Sequence, residues 1–335
     1  MIPSGDASLT ATTASDATTA SDATTASDAT TAPGATTAPG ATTASGATTA
    51  SGATTASGAA PEAARPPRRI VVALDASSHS HAALAAAVAL AGRLQAELQG
   101  IFVEDVNLLR LAELPFAREV RFGLSAARPV QGEELLRGLR ARAAVLRREL
   151  AELAEQNKVS STFRVVRGAV AGELIAAALE ADVLALGRMG HSLSRRARLG
   201  STARAAITRA ASAVLLVQPE VDAGPVLVLY DGSPGGGRAL ALAAEISGEG
   251  GELRVLVWGP DESSAFARRQ LAAHLLEARG CTAQYQHLAG GDPRRVLAWV
   301  NKQHGSLLIL PAAEWPVDAL ETLLDDAHPH LLLIR

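Results

Sequence analysis

Asp182-Val183-Leu184-Ala185-Leu186-Gly187-Arg188-Met189-Gly190, nine further residues, and then Gly200-Ser201-Thr202 at the head of an alanine-rich run form the segment on which the reading of this chain turns. Val183 to Leu186 make a short apolar run closed by glycine, the pattern of a parallel strand buried on both faces. Gly187 and Gly190 put no Cβ in the way of an approaching anion. Gly200, Ser201 and Thr202 open the helical pattern Ala203-Arg204-Ala205-Ala206-Ile207. Free N–H groups and the helix dipole favour negative charge at that end. A buried strand, two glycine clusters at this separation and a helix start together predict a phosphate cradle in an α/β fold. The alternative is a βα turn that is merely rich in glycine.

The same alternation of strand and helix extends to both sides. Upstream lie a strand at 69–75, the turn Ala76-Ser77-Ser78, a helical run to Leu94 and a strand at 98–103. A loop with Leu108, Leu109, Leu111 and Pro115 follows, then an amphipathic helix at 132–157 with Leu135, Leu139, Leu146, Leu150 and Leu153 on one stripe. A strand at 161–166 and a helix around 172–175 lead into the cradle strand, and Ala213–Val217 closes the series. Such alternation implies right-handed crossovers and a parallel sheet with helices on both faces.

The second half repeats the opening: a strand over 225–230 ends in Asp231-Gly232-Ser233, a strand at 253–258 follows, and 306–310 mirrors the cradle strand. The copies then diverge. Pro311-Ala312-Ala313-Glu314-Trp315-Pro316 and an acidic helix through Leu324-Asp325-Asp326 replace the glycine clusters, and no glycine follows Gly305. Two tandem open parallel-sheet domains are predicted, at 67–219 and 223–335, the second degenerate. They are expected to pack as an intramolecular pseudo-dimer with Ala213–Val217 and 331–334 as contact strands, because pairing two short apolar edges removes an aggregation liability. A homodimer stays open as an alternative.

Residues 1–66 are read as a disordered tail. Residues 11–58 repeat the hexad Ala-Thr-Thr-Ala-Ser-Asp and its Pro-Gly and Ser-Gly variants, with no large apolar residue to offset the entropy of ordering. The remaining length, in a chain of 335 residues that is 48% hydrophobic, suffices for two cores. The single cysteine, Cys281, excludes an internal disulfide and suits a reducing cytoplasm. The N-terminus has no secretory pattern and no apolar run approaches the roughly 20 residues of a membrane span. A net charge of −3 makes no case for nucleic acid or membrane. Residues 69–218 nevertheless carry 20 basic and 14 acidic side chains, and residues 225–335 carry 9 and 13. The half with the cradle is the basic one, as an anionic ligand would favour.

The strand with Asp75, the strand leading into Phe102-Val103-Glu104-Asp105, Gly187-x-x-Gly190-x9-Gly200-Ser201 with its alanine-rich helix, and Ala213 to Val217 resemble the universal stress protein family, specifically its tandem two-domain members. The resemblance covers 69–218 well and 225–335 in outline. It implies an adenine-nucleotide α-hydrolase-like fold and ATP binding in the first half. Asp75 would lie at the ribose, Val103 would offer backbone groups to adenine, and Gly187, Gly190, Gly200, Ser201 and Thr202 would hold the phosphates. Arg188 and Met189 occupy the variable pair between the first glycines. ATP, with Mg2+ or Mn2+ held through its phosphates, is the expected ligand, and a stress-response regulator that reads ATP as a signal is the expected function. A weak ATPase and a protein-interaction module without nucleotide are the alternatives, and the protein partner is not identified. No catalytic or metal-ligating residue is assigned.

Other features read more blandly. Asp75 could instead cap a helix, Asp231 is read as a cap, and Ser201 as a phosphate ligand, a cap or both. His79, His81 and His191 lack metal-site spacing and are expected at the surface. Arg195, Arg196 and Arg198 either screen phosphate or lie in a solvated loop. Gly235-Gly236-Gly237 lacks a following Lys-Ser/Thr and is read as a flexible turn, and Cys281 as a strand-edge or core thiol.

Overall fold

Strand β1 (Arg69–Leu74) has three consecutive residues, Ile70, Val71 and Val72, with no exposed surface, so it must run inside a sheet with both faces covered. In the computed structural model it pairs in parallel with β2 (Glu97–Asp105) on one side and with β6 (Val183–Gly187) on the other. The structure describes residues 69–119, 128–129, 131–189, 199–290, 292–313, 315 and 317–335. The expected disordered tail, Gly190, His191 and the Arg195, Arg196 and Arg198 cluster lie outside the described residues.

Around this centre, β5 (Ser161–Gly168) pairs with β2 and β7 (Ala213–Val217) with β6, all in parallel. The second half has β8 (Val226–Tyr230), β9 (Leu253–Gly259), β10 (Gln284–Ala289), β11 (Leu307–Pro311) and β12 (His330–Ile334). Both halves follow the same order, β5-β2-β1-β6-β7 and β10-β9-β8-β11-β12. They join into one ten-stranded sheet where β12 pairs antiparallel with β7, Leu331 opposite Leu216 and Leu333 opposite Val214. These are the contact strands expected from their apolar edges.

Helices cover both faces. On one side lie α1 (Ser78–Leu94), α3 (Gly132–Gln156), α6 (Pro234–Ser247) and α7 (Glu262–Glu277), packed on one apolar core that runs through both halves. On the other lie α4 (Val170–Ala178), α5 (Ser201–Arg209), α8 (Pro293–Lys302) and α9 (Val317–Asp326), over a second core that is likewise continuous. Period-two alternation in β7 divides its residues between them: Leu215 and Val217 face the first core, Val214 and Leu216 the second.

Several expectations are corrected. The segment after β2 is not a plain loop: Asp105 caps a short helix α2 (Val106–Ala112) by accepting from Asn107 N at 2.9 Å, and a hairpin of β3 (Arg118–Glu119) and β4 (Arg128–Pro129) follows. Gly235 to Gly237 are not a flexible turn but the first turn of α6. Ser233 Oγ accepts from Gly236 N at 2.9 Å and Pro234 occupies the first helical position, a start signal that outweighs the low propensity of three glycines. The half-buried Cys281, between α7 and β10, packs against the first core as the core reading expected, its Sγ 3.7 Å from the carbonyl oxygen of Ala244.

Candidate functional site

In the first half the strand order reverses between β1 and β6, and open α/β sheets offer a crevice at the carboxyl ends of the strands at such a point. A cavity of about 350 Å³ opens there. Asp75, Val103, Gly187, Met189, Gly200, Ser201 and Thr202, all proposed from sequence, line it together although they come from four separate segments. Ile101, Phe102, Leu108, Leu139, Leu174 and Leu186 give it an apolar wall.

At one end the turn after β1 is built as a ring of hydrogen bonds. Ser77 N donates to Asp75 Oδ1 at 2.9 Å, Ser80 N to Ser77 Oγ at 3.1 Å, and Asp75 N to Ser80 Oγ at 3.0 Å. Ser77, not Asp75, is therefore the N-cap of α1, and Asp75 braces the cap from outside the helix. Ala76 between them takes a left-handed φ of +62°. The second half repeats this device: Asp231 Oδ1 accepts from Ser233 N and Oγ, Gly232 has φ +80°, and Ser233 caps α6. Asp231 is thus a brace rather than the cap itself.

At the other end lies the N-terminus of α5. Its N-cap is Gly200, which has no side chain to accept from the first-turn amides, and Ser201 is the first helical residue rather than a cap. Free N–H groups and the positive end of the helix dipole face the cavity there.

The roles of the two residues after Leu186 differ from the expectation. Gly187 lines the cavity, but a Cβ there would stand 2.7 Å from His79 Cβ and 2.9 Å from the His79 carbonyl. Its lack of a side chain lets β6 pack against the first turn of α1. Arg188 is 5% exposed and its side chain points away, donating from Nη1 to the carbonyl of Ala327 at 3.1 Å in the second half.

Of the histidines expected at the surface, His79 and His81 are both partly exposed and His191 lies outside the described residues. His79 is half-buried, its Nδ1 has no partner among the described residues, and burial lowers its pKa, with Asp75 opposing and Arg188 adding to the shift. His81 is half-buried with Nδ1 2.6 Å from Glu149 Oε1. Among the described residues no group of three or more His, Cys, Asp or Glu side chains is arranged to hold a metal ion.

Sequence reasoning missed Asp105, Arg142, Ser77 and Ser80 as lining residues. Arg142 follows Leu139 by three positions and so shares its face of α3, a spacing that could have shown it. Asp105 stands at the end of β2 as Asp75 does after β1.

The matching position in the second half is a wider opening of about 560 Å³ with Asp231, Ser233, Trp258 and Arg268 in its wall. Register through β8 and β9 puts Trp258 where the first half has Val103. Arg268 Nη1 donates to the Trp258 carbonyl, and Trp315 packs against the Trp258 ring with centroids 4.8 Å apart and planes tilted by 51°.

A half-sheet with a crevice at its switch point, flanked by an Asp-Ala-Ser turn and an uncapped helix start, places the first half in the doubly wound α/β class. Residues 67–218 match the model of the Universal stress protein family. Among solved structures, one similar to this chain is a universal stress protein from Archaeoglobus fulgidus DSM 4304. Its TM-score is 0.60 at 17% identity, over 80% of this chain and 98% of that one. A functionally unknown protein from Pseudomonas aeruginosa PAO1 has a TM-score of 0.54 at 14% identity, over 81% and 94%. At these identities the likeness is one of fold. No curated protein matches the chain. Among the described residues no helix is long and apolar enough to cross a membrane.

Proposed function

We propose that the first half binds ATP and that the bound nucleotide serves as a signal in a stress response. The observation that carries this reading is the joint lining of one cavity by Asp75, Val103, Gly187, Met189, Gly200, Ser201 and Thr202. Asp75 receives the ribose hydroxyls, the main chain at Val103 meets the adenine edge, and the apolar wall covers the base. The phosphates lie at the first turn of α5, where amides, the Ser201 and Thr202 hydroxyls and the helix dipole all favour negative charge. Mg2+ or Mn2+ is held through the phosphates. Arg188 contributes main chain alone, since its side chain leaves the cavity. About 350 Å³ falls in the range of small-molecule sites.

The second half binds no nucleotide in this reading. The carbonyl of Trp258, which corresponds to the group offered to the base by Val103, is already engaged by Arg268. Hydrolysis is disfavoured as the main function, because Asp105, the further carboxylate at the cavity, is engaged in capping α2.

The test is the nucleotide content of the purified full chain, followed by equilibrium dialysis against Mg·ATP. Denatured protein should release adenine nucleotide, and dialysed protein should take up close to one ATP per chain. Protein that neither releases nor takes up nucleotide would overturn the reading in favour of an interaction module.

A further inference from the structure

Arg188 ties two parts of the molecule together in opposite directions. Its main chain ties the end of β6 to β7 and to α5: Arg188 N donates to the Val217 carbonyl at 2.8 Å, and Gly200 N donates to the Arg188 carbonyl at 2.9 Å. The N-cap of α5 is thereby fixed to the residue after Gly187. The side chain, 5% exposed, crosses into the second half and donates to the carbonyl of Ala327, one residue beyond α9. Gln218 Nε2 donates to that same carbonyl and to those of His328 and Pro329. The last turn of α9 is therefore capped by two side chains of the first half, with a guanidinium at the negative end of the helix dipole.

Packing alone does not explain an arginine here. Burial lowers its pKa to about 10, with Asp325 opposing, so the group is still cationic at neutral pH. Among the described residues Nε and Nη2 find no acceptor, and a charge buried in this way carries a desolvation cost that an apolar side chain would not. The counterpart in the second half makes the point by contrast. Ala312 N donates to the Ile334 carbonyl at 2.8 Å, as Arg188 N does to Val217, yet an alanine side chain reaches nothing across the join. The connection runs one way, from the loop of the first half to the last helix of the second.

We propose that Arg188 is a positioning residue through which the second half holds Gly187, the Arg188 main chain and the Gly200 N-cap of α5 in place for phosphate, and through which phosphate binding is felt at the C-terminal end of α9. This rests on the ATP reading above. Coupling of this kind is reciprocal, so what tightens the end of α9 on binding must weaken binding by the same factor when lost.

The experiment is amide hydrogen exchange on the full chain with and without Mg·ATP, alongside titration with Mg·ATP, for the wild type, Arg188→Met and Arg188→Lys. In the wild type, Mg·ATP should slow exchange across 323–330. Arg188→Met should bind about tenfold more weakly, within the usual span of coupling between sites, and lose that response. Arg188→Lys, which keeps a cation and a donor, should recover part of both. The inference is overturned if the wild type binds Mg·ATP with no change across 323–330, or if Arg188→Met binds as tightly with the response intact. Should Arg188→Met fail to fold, the wild-type exchange response decides. A wild type that does not bind Mg·ATP in the titration would instead overturn the underlying ATP reading, and the inference with it.

Discussion

Thr202 sits in the first turn of α5 and lines the cavity, so one substitution there can separate folding from binding. A carboxylate near a helix N-terminus stabilises it by about 0.3–1 kcal/mol. Thr202→Glu should therefore keep or raise the melting temperature while its charge repels phosphate, cutting ATP affinity by at least about 100-fold, the scale of a few kcal/mol. Normal affinity in this variant would remove the phosphates from α5. Gly187 offers no such separation, because any side chain there meets the main chain of His79 and disturbs packing as well. His330 gives a second prediction at this scale. Burial and the neighbouring Arg188 lower its pKa to about 4, and the neutral ring accepts from Gln218 N. In the unfolded chain the ring titrates near 6.5, so between about 4 and 6.5 the unfolded state binds more protons. Stability must then fall as pH falls through that window. Between pH 7 and 4.5 the wild type should lose about 2 kcal/mol more stability than His330→Gln, which keeps an acceptor. Equal losses in denaturant unfolding would contradict this.

Strands β7 and β12 close their half-sheets, and each would be an apolar edge without the other: Val214, Leu216, Leu331, Leu332 and Leu333 have no exposed surface. Residues 67–219 expressed alone should therefore self-associate or aggregate, as seen by sedimentation. A monomer with full stability would show that β12 is not needed. The elements legible in the sequence are those whose burial is strong and periodic. The central strands carry near-continuous Val, Leu and Ile, α3 carries its leucine stripe, and the glycine clusters mark the ends of β6 and the start of α5. The elements that escaped have weaker local signals. Helix α7 buries only Ala265, Ala272 and Leu276, and β10 is a polar edge strand. Helix α6 starts on three glycines and is held by burial of Ala239, Leu240 and Ala243 rather than by propensity. The candidate site divides the same way. Strand ends and a helix start could be read directly, whereas the direction of the Arg188 side chain depends on a contact 139 residues away that no local pattern encodes.

Across the whole molecule the two halves share one strand order, one Asp-x-Ser turn and one antiparallel join, but they differ where a ligand would sit. The first half leaves an open cavity between Asp75 and α5. The second has a wider opening at the corresponding place, but its wall is Trp258, whose carbonyl Arg268 occupies and whose ring packs against Trp315. The account is thus of one nucleotide-binding half, held in shape by a related half that has given up the same role. Titration calorimetry of the full chain with Mg·ATP tests it most directly. One site per chain is the predicted result; two equivalent sites, or no binding heat at any attainable concentration, would contradict it.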